Sequence, residues 1–327
     1  MHTAKIQKLI VDNVVLPILG LACILLVWCL ISAATYDSEV QASDFPSPIT
    51  TWHESAKYFA QPFTSNQEEG FDGIGLETWR SLQLVGLGYG LALLAAVPLG
   101  FLLGGSHVFA RMFDPIFQLL RPISPLAWFP LAGLIVIAIR RHNTDIDATQ
   151  LQCIFTIAMC SIWPTILNTA VGVRAIPQDY LNVGKVLRLS PWRLFTRILL
   201  PATVPYMFTG FRLSLGIAWL VIVAAEMLSG KNGMGAFVNN QYQAGTYGPM
   251  IAAVIVIGCV GFVLDRIMNL IESKATLLMG LPARWARSIG QFWPHKGTAF
   301  EEVYGHRLST EPVVTIKEAG DAAATTA

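Results

Sequence analysis

The sequence predicts an all-α, polytopic membrane protein with about six transmembrane helices and one large cytoplasmic loop built of short helices. Apolar residues (A, V, I, L, M, F, W, Y, C) fill 54% of 327 positions and charged residues 13%, where a soluble domain carries roughly 25% charged. Mean hydropathy is +0.53. Apolar runs near 14–34, 82–104, 116–139, 151–173, 204–228 and 249–271 reach the roughly 20 residues needed to cross the hydrocarbon core as a helix.

The same composition excludes other classes. A net charge of +1 from dispersed basic residues offers no face to nucleic acid. Cys23, Cys29, Cys153, Cys160 and Cys259 all fall inside apolar runs without a CxxC, so they read as small packing residues rather than as disulfides or metal ligands. The six histidines are scattered, and the chain is expected to bind no metal or cofactor itself.

Taken in order, the first run, "VVLPILGLACILLVWCLISAA", exceeds the apolar core of a signal peptide, roughly 7–15 residues, and reads as a retained helix despite the small Ala33 and Ala34 at its end. From Tyr36 to Glu77 the chain is acidic, with Lys57 its only lysine or arginine, and the lack of positive charge places it outside. Within it "ITTWHESAKYFAQPF" reads as a short amphipathic helix on the membrane. In the second run, glycines at 86, 88, 90, 100 and 104, with GxxxG at 86–90 and 100–104, point to close helix packing.

Prolines interrupt the third and fourth runs: Pro122, Pro125 and Pro130 in "RPISPLAWFPLAGL", and Pro164 in "SIWPTIL". Pro125, Pro130 and Pro164 are pore-lining candidates, because irregular backbone at membrane depth is tolerated beside a cavity; ordinary kinks packed on a neighbour are the alternative. The fifth run carries Arg212 and Glu226, and intramembrane charges are functional candidates. They lie roughly 21 Å apart along a helix and form no pair. Arg212 either snorkels to the cytoplasmic interface or attracts an anion from the pore. Glu226, near the outer end, would repel an anion and reads as bonded to the loop "SGKNGMG" or to a neighbouring subunit.

Lysine and arginine placement sets the orientation. With the N-terminus inside, cytoplasmic segments hold Lys5 and Lys8, then Arg111 and Arg121, then Arg174, Lys185, Arg188, Arg193 and Arg197, then Lys274, Arg284 and Arg287. Arg140 and Arg141 are the exception, external beside Asp145 and Asp147. Both termini are cytoplasmic. The chain divides into 1–78, a helix plus the external acidic segment; 79–273, the membrane core; and 274–327, a tail that starts with the interfacial "LPARWARSIGQFW" and ends in the disordered-type "EAGDAAATTA".

The largest cytoplasmic loop joins the fourth and fifth runs through "LRLSPWRLFTRILLPATVPYMFTGFR", residues 187–212, with four arginines and three prolines. Ser190 followed by Pro191 is an N-cap with proline at the first helical position, and the helix runs until Pro201 stops it. Pro177 and Asp179 in "PQDYLNVGKVLRL" start a helix before it. Lys185, Arg188, Arg193 and Arg197 form the polar faces; Leu187, Trp192, Phe195 and Leu199 supply apolar contacts at helical spacing. Two readings fit: an amphipathic surface helix, or a docking knob for a cytoplasmic partner.

These residues resemble the inner-membrane permease subunits of bacterial ABC importers, whose cytoplasmic loop carries E-A-A, three residues, Gly, nine residues, Ile, one residue and Leu-Pro. In "NVGKVLRLSPWRLFTRILLP" Asn182, Val183 and Gly184 stand at the E-A-A positions, Arg188 at the glycine, and Ile198, Leu200 and Pro201 at the close. "ATVPYMFTGFRLSLGIAWLVIVAAEML" resembles the branch for nitrate, nitrite, cyanate or bicarbonate with its taurine and alkanesulfonate relatives. "PQDYLNVGKVLRLS", "DPIFQLLRPISPLAWFPL" and "VGFVLDRIMNLIE" are most similar to its nitrate members. The resemblance covers about 79–273. Arg188 departs from the motif glycine, and Leu84 stands where relatives often have a basic residue.

The resemblance implies a mechanism. No GxxxxGK[ST] phosphate loop is present, and in "SGKNGMGAF" the lysine precedes the second glycine with no strand before it, so Mg-ATP is expected on a partner ATPase subunit. In the family the loop helices sit in a cleft of each ATPase subunit, and closure of the ATPase pair swings two permease copies between inward-open and outward-open states. An external substrate-binding protein delivers the cargo. Ser190, Pro191, Arg193 and Arg197 then belong to the coupling element, and Pro177, Pro191 and Pro201 give it fixed corners. A secondary transporter would show an inverted repeat and several buried charges; a membrane enzyme would show a polar catalytic cluster. Neither is visible in the sequence.

Overall fold

The computed structural model describes residues 15–37, 42–43, 45–66, 71–140 and 147–278. Lys5, Lys8, Arg141, Asp145, Arg284, Arg287 and the tail segments singled out above lie outside the described residues. Among the described residues the architecture is all-helical apart from two short antiparallel ladders between the first two long helices, β1 (Tyr36–Asp37) with β2 (Ala42–Ser43) and β3 (Ser65–Asn66) with β4 (Phe71–Asp72). Five helices are long and apolar enough to cross a membrane, and a bent pair makes a sixth crossing if its two halves count as one.

Helix α1 (Leu16–Ala34) is peripheral, its apolar side chains outward, tied down where Trp28 Nε1 donates to the Pro46 carbonyl at 3.0 Å. Helix α2 (Pro48–Ala60) starts at Ser47, whose Oγ accepts the Thr50 N–H at 3.2 Å. Its Thr51, Ser55 and Tyr58 are buried. Tyr58 meets Phe237 edge to face at 5.0 Å, so this amphipathic helix turns one face to protein rather than lying on lipid alone; Ile49 and Trp52 remain exposed.

Helix α3 (Ile74–Gly105) starts eight residues before the second apolar run, and α6 (Ala148–Arg174) packs against it from Gly88 to Gly104. Small residues set the distance. A Cβ on Gly88 would stand 2.7 Å from Ile157 Cβ, one on Gly100 2.6 Å from Thr169 Cβ, and one on Gly104 2.7 Å from Val173 Cβ. Such approach is what small residues allow between helices in lipid, where dispersion and hydrogen bonds replace the hydrophobic drive. The GxxxG at 100–104 therefore lies in the seam. The one at 86–90 does not: nothing lies within 4 Å of a Cβ on Gly86 or Gly90. The seam instead steps every fourth residue through Gly88, Ala92, Ala96 and Gly100, with the two alanines 1% and 0% exposed.

The third run is not one straight helix. It divides into α4 (His107–Leu120) and α5 (Pro125–Arg140), bent by 108°. Pro125 removes a donor and disfavours helical backbone at Ser124, and Ser124 Oγ caps the new helix by accepting the Leu126 N–H at 3.3 Å. At 16 residues, α5 spans roughly 24 Å, less than the hydrocarbon core.

On its other side α6 packs against α9 (Leu200–Ser229), where a Cβ on Gly210 would come 3.0 Å from Thr165 Cα. Thr165 and Ser214 hydroxyls are hydrogen-bonded at 2.7 Å in this buried seam. Helix α7 (Gln178–Val186), helix α8 (Pro191–Leu194) and a π-helical turn (Phe195–Leu199) fill the loop before α9. Helix α10 (Met234–Gln243) follows it, and α11 (Tyr247–Leu278) ends the described chain. The compact unit formed by these packed helices ends at Glu272; a separate unit begins at Ser273.

Candidate functional site

The loop between α6 and α9 has a defined shape because the end of α7 and the start of α8 are both capped. Helix α7 starts after Pro177 and closes with two reversed bonds, Arg188 N–H to the Lys185 carbonyl and Leu189 N–H to the Gly184 carbonyl, both 3.0 Å. That is the Schellman pattern, which needs a left-handed residue just past the helix. Arg188 fills it at φ 45°, the one non-glycine residue with positive φ among those described. The resemblance noted above puts a glycine at this position, and the backbone gives the reason. Ser190 Oγ then accepts the Arg193 N–H at 3.4 Å, with Pro191 first in α8.

Pro201 does not stop the second loop helix. Helix α8, the π turn and α9 form one continuous helix from Pro191 to Ser229, 39 residues long. The Leu200 N–H reaches back to the Phe195 carbonyl, a bond of i→i+5 type that widens the turn just ahead of the pyrrolidine ring. A wide turn removes the demand for the N–H that proline lacks and eases its clash with the preceding carbonyl. The corners of the loop are therefore at Pro177 and Pro191, while Pro201 lies inside the lever.

The two loop helices clasp each other at Gly184, which is buried: a Cβ there would meet Leu194 Cδ1 at 2.6 Å and Ile198 Cδ1 at 3.4 Å. Phe195 joins the unit to the end of α3 through an edge-to-face contact with Phe101 at 4.9 Å. Leu187 and Trp192, expected as packing residues, instead project outward with Val186, and Val186 and Trp192 are 82% and 71% exposed. Asn182, Val183, Arg188, Ser190, Pro191, Arg193 and Arg197 are exposed; Ile198, Leu200 and Pro201 are half-buried. The result is an apolar cap ringed by cations on a rigid helical base.

The intramembrane charges fall into separate sites. Arg212 Nε pairs with Asp265 Oδ1 at 3.0 Å and also bonds Asn269, both on α11. Asp265 was legible: it lies inside the sixth apolar run, and with Asn269 and Glu272 it recurs at i, i+4 and i+7 on one helix face. Glu226, 0% exposed, accepts from Ser81 Oγ at 2.7 Å and from the Gly235 N–H at 2.9 Å. Ser81 Oγ in turn accepts the Met234 N–H at 2.9 Å. The carboxylate thus binds the loop after α9 to α3, and a Cβ on Gly233 would fall 2.2 Å from its Oε1.

The same loop has a second tie. Lys231 pairs with Asp147, the N-cap of α6. The Lys231 ammonium, with the Gln150 N–H, holds the Asp147 carboxyl below its ordinary value of 3.8. Among the prolines, Pro125 begins α5, Pro130 is exposed on it, and Pro164 packs in α6 against Gly210, its carbonyl capped by Asn168 Nδ2 at 2.8 Å.

Residues 96–277 match the family model described as binding-protein-dependent transport system inner membrane component. The chain belongs to this family. It is a multi-pass permease subunit of a transport system. Curated relatives include the nitrate import permease protein NrtB of Synechocystis sp., 38% identical over 80% of this chain and 89% of its own length. The NrtB of Leptolyngbya laminosa is 43% identical over 69% and 77%. The bicarbonate transport system permease protein CmpB of Synechocystis sp. is 40% identical over 76% and 84%. Among solved structures, an inward-facing MetNI methionine ABC transporter chain aligns with a TM-score of 0.47 at 17% identity, over 61% of this permease and 94% of that chain.

Proposed function

We propose that this permease moves a small oxyanion across the inner membrane, driven by ATP that a separate ATPase subunit hydrolyses. Nitrate is the favoured cargo and bicarbonate the second, because the relatives named for those two anions match this chain at 38–43% identity. One observation carries the coupling role: exposed Trp192 stands on a helix continuous with the α9 span, and exposed Val186 and Leu187 stand at the end of α7, which is clasped to that helix at Gly184, with Lys185, Arg188, Arg193 and Arg197 around them. An apolar cap on a soluble-side loop is a docking surface, and a continuous helix carries its motion into the bilayer without a hinge.

Lysine and arginine placement puts this knob and both termini in the cytoplasm. A second copy of the permease completes the pathway, and an external binding protein supplies the anion. The Arg212–Asp265 pair in the inner halves of α9 and α11 screens a fixed cation that an oxyanion would meet on its way in.

The test has two arms. Reversing Arg193 and Arg197 to glutamate is expected to abolish copurification of the cognate ATPase while the permease itself elutes as before; undiminished assembly and transport would refute the coupling role. Cells lacking the chain are expected to lose uptake of labelled nitrate, with competition from nitrite and not from taurine. Unchanged nitrate uptake with lost bicarbonate uptake would select the second cargo.

A further inference from the structure

We propose that the groove between α4 and the inner end of α6 holds an anionic phospholipid of the cytoplasmic leaflet. Two adjoining hollows make the groove. One is an open cleft of about 510 Å³ whose lining includes His107, Arg111 and Arg174. The other is a slot of about 40 Å³, too small for an acyl chain, walled by Phe117, Trp163, Ile166 and Leu167, with Arg121 among its lining residues. Asp114 and Gln118 line both, so the hollows are continuous. A cationic cleft beside the exposed apolar side chains of α4 fits the acidic head of an amphiphile whose acyl chains lie along the helix.

The charge balance favours an anion. Three arginines face one carboxylate, Asp114, across the two hollows. Arg111 and Arg121 form no ion pair among the described residues. Arg174 uses one guanidinium nitrogen on the Leu103 carbonyl at 2.9 Å, which fixes it at the rim of the cleft with its remaining donors available. Basic pockets between transmembrane helices on the cytoplasmic side are suited to acidic lipid headgroups.

The setting supplies the lipid. Val108, Met112 and Leu119 on α4 are exposed, as an interfacial helix with its apolar side in the acyl boundary requires. Another side of α4 stacks Phe109 on Phe113 at 4.4 Å and sets Phe117 edge-on to Trp163 at 5.8 Å, and these rings hold the helix to the packed core. A lipid here would brace the 108° elbow between α4 and α5, the bent part of the fold. The inference rests on the orientation proposed above.

The experiment is native mass spectrometry of the permease with its ATPase partner in mild detergent, with phosphatidylglycerol or phosphatidylcholine added. Retained phosphatidylglycerol and no retained phosphatidylcholine are expected. Arg111→Gln should weaken retention about fivefold, the effect of one basic residue near an anionic headgroup, and the double change with Arg121→Gln should weaken it further. Arg111→Lys should restore it, which separates charge from folding. Equal retention of both lipids, or retention unaffected by the double change, would overturn the proposal. Displacement of phosphatidylglycerol by inorganic phosphate alone, with no dependence on acyl chains, would make this a soluble-oxyanion site and overturn the lipid assignment. None of these readings depends on which anion the permease transports.

Discussion

Arg188 sits in left-handed backbone at φ 45° because the α7 cap needs a reversed residue there, and any residue with a Cβ is strained in that region by about 1–2 kcal/mol. Arg188→Gly is expected to raise the melting temperature of the detergent-solubilised permease, as about 1 kcal/mol of local strain is released. A lowered melting temperature would mean that the guanidinium makes a stabilising contact that outweighs the backbone. At this scale legibility follows sequence distance. The Ser190–Pro191 cap is local, and it reads directly from two adjacent residues. Ser81 as the partner of Glu226 is 145 positions away, and nothing in the local pattern distinguishes it from any other serine in an apolar run. The tie between Glu226 and its own loop lies nine positions away and could be anticipated.

Helix packing turns on which glycines face a neighbour. Gly100→Val places branched carbons where a single Cβ is already 2.6 Å from Thr169 Cβ and 3.0 Å from the Ile166 carbonyl; backbone cannot rotate aside, so destabilisation of about 1–3 kcal/mol is expected. Gly86→Ala meets nothing within 4 Å and should be neutral or stabilising by up to about 1 kcal/mol, since it removes backbone freedom from a helix interior. Thermal unfolding of the two variants side by side checks both; equal losses would show that Gly86 faces a surface supplied by another chain. The helices and their approximate ends follow from apolar length, but the seam mixes glycine with Ala92 and Ala96, so a search for glycine pairs finds only its inner end. The break at Leu120–Pro125 was legible as an interruption by Pro122 and Pro125, but its size was not: hydropathy does not register the 108° turn.

Across the whole molecule, the loop and the membrane core are joined by helix rather than by hinge. Helices α7 and α8 are locked together at Gly184, Phe195 rests on Phe101, and the π turn leads directly into α9. A π turn is an α-helix with one residue inserted. Deleting Thr196 removes that insertion and rotates α7 and α8 by about 100° against α9. The deletion alone also returns Pro201 to an α-helical ladder, at a cost of about 3 kcal/mol. Pairing it with Pro201→Ala should restore the melting temperature, leaving only the rotation. The paired variant is expected to elute like the parent yet lose ATPase copurification and anion uptake by an order of magnitude, because the apolar cap of Val186, Leu187 and Trp192 would face the wrong way. If copurification persists while uptake falls, docking tolerates rotation and the lever alone depends on it. Uptake unchanged in the paired variant would show that the register of the π turn has no part in transport, and that force enters the membrane core through the Phe101–Phe195 contact instead.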